Sequence, residues 1–230
     1  MQQLIEGFKN GQAATPFLSG SRDNSDSCTC SQIVVQVLSN IERDVFKLAQ
    51  LSVDEVVQLQ KWLMYQCCTA LYCPKCSSSQ AVHTIVVLIC ERVLLMYECL
   101  AARMRRAVEE QGLAGAATDG EDYASYYSPK QPNTLFSSIT GQPLERARCE
   151  GGIYMSKGSN AFSSEEQLCM VHSLVKLHSS SFRSLLEWLG RMSREAGNEA
   201  QQGKVMAFDE RLTLAVATFD RWANRLVNKS

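Results

Sequence analysis

The sequence predicts an all-α chain of about five helices, with a long irregular loop between the third and the fourth. Three observations carry that expectation. Apolar residues recur at three- and four-residue steps over several long stretches, the period of one helix face. Two Ser-x-x-Glu boxes stand where such stretches begin. No segment alternates apolar and polar residues as a half-buried strand would.

Residues 1–27 close on Ser19-Gly-Ser-Arg-Asp-Asn-Ser-Asp-Ser27, small and polar, and read as a flexible N-terminal arm. A first helix begins near Ser31, with Ile33, Val34, Val37, Leu38, Ile41, Val45 and Leu48 on one face and its end before Ser52. Ser52-Val-Asp-Glu55 is a capping box, and a second helix follows through Val56, Leu59, Leu63, Cys67, Ala70 and Leu71. Pro74 stops it, because the ring lacks a donor and restricts the residue before it. Ser77-Ser78-Ser79 offers caps to a third helix carrying Val82, Ile85, Val86, Ile89, Val93, Met96 and Leu100. This helix is apolar nearly all round, so it is expected at the centre. Arg103, Arg105 and Arg106 read as a solvated helix end that complements the dipole.

From 112 to 152 the periodicity vanishes into Gly, Ala, Ser, Tyr, Pro and Asn, a long loop or linker that Tyr123, Tyr126, Tyr127 and Phe136 could anchor to the body. Ser163-Ser-Glu-Glu166 is the second capping box. It opens a helix through Leu168, Val171, Leu174, Val175, Phe182, Leu185, Leu189 and Met192, with Gly197 past its end. A last helix starts near Phe208 and places Leu212, Val216, Phe219, Trp222 or Ala223, and Leu226 on one face. Trp62, Trp188 and Trp222 are expected to anchor the core, and the scattered methionines to fill it. The domain division is therefore an arm over 1–27 and a helical domain over 28–230.

Composition narrows the function. The 230 residues are 45% hydrophobic and 20% charged with a formal net charge of -1. That suits a soluble globular chain and gives no global positive field for a nucleic-acid backbone. The most apolar run, 81–95, is broken by His83, Glu91 and Arg92, so a buried helix is expected rather than a membrane span. The N-terminus, with Glu6 and Lys9, does not read as a secretory signal. Most of the ten cysteines fall in amphipathic helices, so free thiols in a reducing compartment, cytosol or nucleus, are expected.

Chemistry-bearing residues are few. Cys73-Pro-Lys-Cys76 has the spacing by which a turn offers two thiolates to one zinc, and Cys28-Thr-Cys30 could supply a second pair. These four could also form a disulfide, or merely pack the ends of helices one and two together; packing is the preferred expectation, with no metal and no cofactor. Cys67 and Cys68 sit on a helix, one facing the core and one partly exposed, with no base placed to activate either. His172 and His178, six apart, lie on different faces, and His83 opens the third helix. Asp54, Glu55, Glu165 and Glu166 are explained by capping. No Asp-rich helical motif or Gly-rich phosphate loop occurs, Gly151-Gly152 being a turn, so no catalytic residue is named and no enzyme is expected.

Cys28-Thr-Cys30, an amphipathic helix, Leu71-Tyr-Cys73-Pro-Lys-Cys76, an apolar helix closing on Tyr97-Glu98, then Gly152-Ile-Tyr154 and the long helix over 165–194 form a recognisable order. Over about residues 28–194 it resembles the C-terminal regulatory domain of fungal zinc-cluster transcription factors of the aflatoxin regulatory protein type. The resemblance implies nuclear control of secondary-metabolite gene clusters. The chain departs from that family in having no Cys-x2-Cys-x6-Cys run and no basic cluster before Cys28, so the family's DNA-reading residues cannot be carried over. The expectation is a transcription-regulatory domain that acts through a protein partner, such as a zinc-cluster factor or a second copy of itself, without direct DNA binding. A receptor for a small apolar metabolite is the alternative reading, and a helical enzyme of secondary metabolism a remoter one.

Overall fold

The computed structural model describes residues 28–44, 51–110 and 164–227. Among the described residues there are five α-helices and no strand: α1 Cys30–Asp44, α2 Val53–Tyr72, α3 Gln80–Glu110, α4 Ser164–Glu195 and α5 Glu199–Val227. The N-terminal arm, the whole of the long loop over 112–152 with its tyrosines, Ser163, and the end of the first helical pattern at Val45 and Leu48 lie outside those residues.

Each helix buries the face its pattern names. Val34, Val37 and Ile41 of α1 are buried, with Ile33 and Leu38 packed beside them. In α2, Ser52 N–H donates to Glu55 Oε2 at 3.0 Å, which is the glutamate arm of the capping box. Cys73 closes α2 with extended backbone (φ -69°, ψ 121°), the conformation a residue before proline prefers. Ser79 Oγ accepts from Val82 N–H at 3.4 Å, so a serine of the Ser77–Ser79 group caps α3.

The third helix takes the central place the sequence assigns it. It packs against each of the other four. Val86, Ile89, Cys90, Val93, Leu94, Met96, Tyr97, Leu100 and Met104 are all buried, which leaves α3 hardly any solvent face. The arginine group departs from expectation. The helix runs on to Glu110, so Arg103 is interior rather than terminal, and it is 1% exposed. Arg103 Nη1 donates to the carbonyl of Leu51 at 2.7 Å, just before α2 begins. A charged donor on a backbone carbonyl is a strong bond in a dry setting, and it fixes where the chain enters α2. Arg105 is exposed, as expected of a solvated face.

The turn into α5 is a Schellman motif: Gly197 N–H bonds to the Arg194 carbonyl at 3.0 Å and Asn198 N–H to that of Ser193 at 2.9 Å. Gly197 sits at φ +66°, where a side chain is strained. Asn198 Oδ1 then accepts from Gln201 N–H at 3.0 Å and caps α5. The last helix therefore begins nine residues before the expected Phe208. Its first turns read as polar, but Gln201 is buried and its side chain accepts from Gln80 Nε2 of α3 at 3.2 Å. Beyond it, Val205, Phe208, Leu212, Ala215, Phe219, Trp222 and Ala223 face inward.

Polar pairs set the register of the bundle. Arg211 Nε and Nη2 donate to the two carboxylate oxygens of Glu98 of α3, at 2.8 and 2.9 Å, a forked pairing. Arg183 of α4 reaches Asp209 and Thr213 of α5, each at 3.0 Å. Arg92 of α3 meets Glu42 of α1. Among the described residues no helix is long and apolar enough to cross a membrane.

Candidate functional site

The N-terminus of α1 and the turn between α2 and α3 meet. Cys28 and Cys30 stand at the first; Cys73 and Cys76 stand at the second. All four Sγ atoms lie within 4.8 Å of one another. Cys28 Sγ is 3.3 Å from Cys73 Sγ and 3.4 Å from Cys76 Sγ. Cys76 is buried and the other three are partly exposed.

The backbone around them is shaped by the same residues. Pro74 prevents α2 from continuing, and the chain wraps into a turn in which Cys76 and Ser77 N–H both bond to the Cys73 carbonyl, at 3.0 and 2.9 Å. The Lys75 amide, and the Cys76 amide already bonded to that carbonyl, also favour the Cys73 thiolate. On the other side, Cys30 N–H donates to Cys28 Sγ at 3.3 Å. A sulfur receiving amide hydrogens is stabilised as thiolate. The bond with Cys28, followed by the Lys75 amide, lowers the Cys73 thiol to about 7. Burial pushes the Cys76 thiol up to about 11, with the nearby Cys28 adding to it, and burial likewise raises Cys30. The cluster thus favours one thiolate and opposes several at once when no cation is among them.

The other cysteines stand apart. Cys67 is buried beside Cys90, and the hydrogen bond between the two free thiols, followed by burial, raises the Cys67 thiol. Cys68 is half-buried and raised chiefly by burial. The core-facing and partly exposed pair expected of these two is what the structure contains, and both shifts oppose a reactive thiolate. Cys169 is exposed, and Cys99 is disulfide-bonded.

The three histidines have separate surroundings. His83 is buried and edge-on to Trp188, with ring centroids 6.2 Å apart. His172 Nε2 lies 2.7 Å from Asp220 Oδ1, which also accepts from Lys176 at 3.1 Å. The bond to His172 is the main reason the Asp220 carboxyl titrates below its ordinary value. His178 faces Lys61 of α2 instead, so the two α4 histidines do look in different directions; burial and then Lys61 lower it. The His172–Lys176–Asp220 group was not legible beforehand, since 44 and 48 residues separate its halves and no local motif marks it.

A second surface feature lies on α2 and α4. Tyr72 of α2 lies beside Trp188 of α4 with ring centroids 6.3 Å apart. Tyr65 and Tyr72, two turns apart on α2, are 63% and 75% exposed, and Leu177, next to His178, is 67% exposed. No family model, no curated protein and no solved structure matches the chain.

Proposed function

We propose that this chain is a regulatory interaction domain of transcription, acting in the nucleus through a protein partner rather than by reading DNA or catalysing a reaction. The observation that carries the reading is the pair of exposed tyrosines on one face of α2, Tyr65 and Tyr72, with Trp188 of α4 beside Tyr72 and Leu177 of α4 also exposed. Tyrosine and tryptophan are enriched at protein interfaces because they combine a large apolar area with few rotamers to freeze. The formal charge of -1 agrees with a protein partner better than with a nucleic-acid backbone. The fungal secondary-metabolite setting rests on the cysteine-pair, helix and Gly-x-Tyr order, which resembles the regulatory domain of aflatoxin-type factors.

The test fuses the chain to a heterologous DNA-binding module in a filamentous fungus and reads a reporter downstream of its site. The expected outcome is a change in reporter output that disappears in the Tyr65→Ser/Tyr72→Ser/Leu177→Ser variant. Because all three side chains project into solvent, that variant should melt within a degree or two of the parent. A fusion that leaves the reporter untouched, or a variant as active as the parent, removes the reading.

A further inference from the structure

The geometry points to a structural Zn(II) site formed by Cys28, Cys30, Cys73 and Cys76, stapling the start of α1 to the α2–α3 turn. Zinc in a closed site takes four ligands tetrahedrally, and thiolate bonds of about 2.3 Å place the sulfurs about 3.8 Å apart. Here the four sulfurs lie within 4.8 Å of one another, with Cys28 at 3.3 and 3.4 Å from Cys73 and Cys76, so the ion fits with shifts of about an ångström or less.

Three further facts favour a metal over simple packing. First, the backbone offers a donor to sulfur: the Cys30 amide donates to Cys28 Sγ at 3.3 Å. Outer hydrogen bonds of this kind orient metal ligands and spread their charge. Second, three of the four cysteines are partly exposed, whereas a cysteine serving as a core hydrophobe sits as Cys67 and Cys90 do, fully buried. Third, Cys28 Sγ is almost equally close to Cys73 and Cys76 and all four sulfurs lie within 4.8 Å, so they gather round one point rather than sorting into two bonded pairs.

Sulfur-only, four-coordinate geometry selects zinc or iron among biological metals. A mononuclear closed site with no open position suits zinc in a structural role. Loading forms four Zn–S bonds and expels to solvent whatever protons the four sulfurs still carry, with no change of oxidation state. Four thiolates and one Zn(II) leave a net charge of -2, which the amide donors face. The staple adjoins the proposed partner surface where Cys73 follows Tyr72, but metal content and reporter output are read separately, so either reading can fail without the other.

The experiment uses the full chain, purified without chelator and analysed for metals by inductively coupled plasma mass spectrometry. One zinc per chain is expected, retained in Cys169→Ser and lost in Cys76→Ser. Because Cys76→Ser could unfold, Co(II) is also titrated into the chelator-stripped parent chain. The expected result is one equivalent giving the visible d–d bands and sulfur-to-metal charge transfer of a tetrahedral cobalt thiolate, bleached by added zinc. A chain free of zinc whose cobalt spectrum stays octahedral overturns the site. So does iron in place of zinc, and so does a disulfide among the four cysteines on non-reducing alkylation and mass analysis.

Discussion

Gln60 and Arg103 are both buried polar side chains, and the bundle treats them differently. Arg103 donates to the Leu51 carbonyl, whereas Gln60 is 0% exposed and neither atom of its amide has a hydrogen-bond partner among the described residues. A buried amide without partners costs about 1–3 kcal/mol. Gln60→Met keeps the side chain's length and removes that cost, so chemical denaturation should show a gain of about 1 kcal/mol; a loss of stability would mean the amide is satisfied. Residue by residue, the sequence was a good guide to apolar positions and a poor one to these polar ones. Whether an arginine is solvated or buried depends on where a segment 52 positions earlier passes, and no local pattern records that. The same holds for the cysteines. Each pair was visible by its spacing, but that they converge depends on the α1–α2 packing.

At the scale of the elements, legibility followed capping chemistry and periodicity. The α2 boundaries were readable from Ser52, Glu55 and Pro74, and the end of α4 from Gly197. The start of α5 was not, because Glu199-Ala-Gln-Gln-Gly203 lacks an apolar stripe and carries a helix-weakening glycine. Tertiary contact from Gln80 to Gln201 and the Asn198 cap compensate. The α4–α5 corner gives a direct check. An alanine at 197 meets no neighbour within 4 Å, so its cost is purely the left-handed backbone. Gly197→Ala should therefore destabilise by about 1 kcal/mol, read as a lower denaturation midpoint at unchanged slope.

For the whole molecule, acid is the informative perturbation. Burial and then Lys61 lower His178 from its ordinary 6.5, so the unfolded chain takes up this proton before the folded one does. Its contribution is complete above the unfolded value and is lost as pH falls through the folded one. Asp220, held down mainly by His172, acts lower: its contribution is present above the unfolded 3.8 and disappears as pH falls through the folded value. The melting temperature should decline as pH falls below about 6.5, and decline again in strong acid. His178→Gln should flatten only the first decline; if that decline is unchanged in a thermal melt series, another group causes it.

The order of the helices also sets a timetable during synthesis. All four clustered cysteines, which join the start of α1 to the α2–α3 turn, are encoded by residue 76, before α3 exists. The side of α3 that α5 covers must then wait while about 90 further residues are made, on the order of 5–20 s at ordinary ribosomal speeds. During that interval a long apolar helix stands with one flank bare, on a nascent chain that already has a firm N-terminal half. A metal staple closed early makes that half a platform onto which α4 and α5 dock as they emerge. Zinc starvation should then be felt first at the ribosome, as chains lost to chaperones and proteases, and only later in the finished protein.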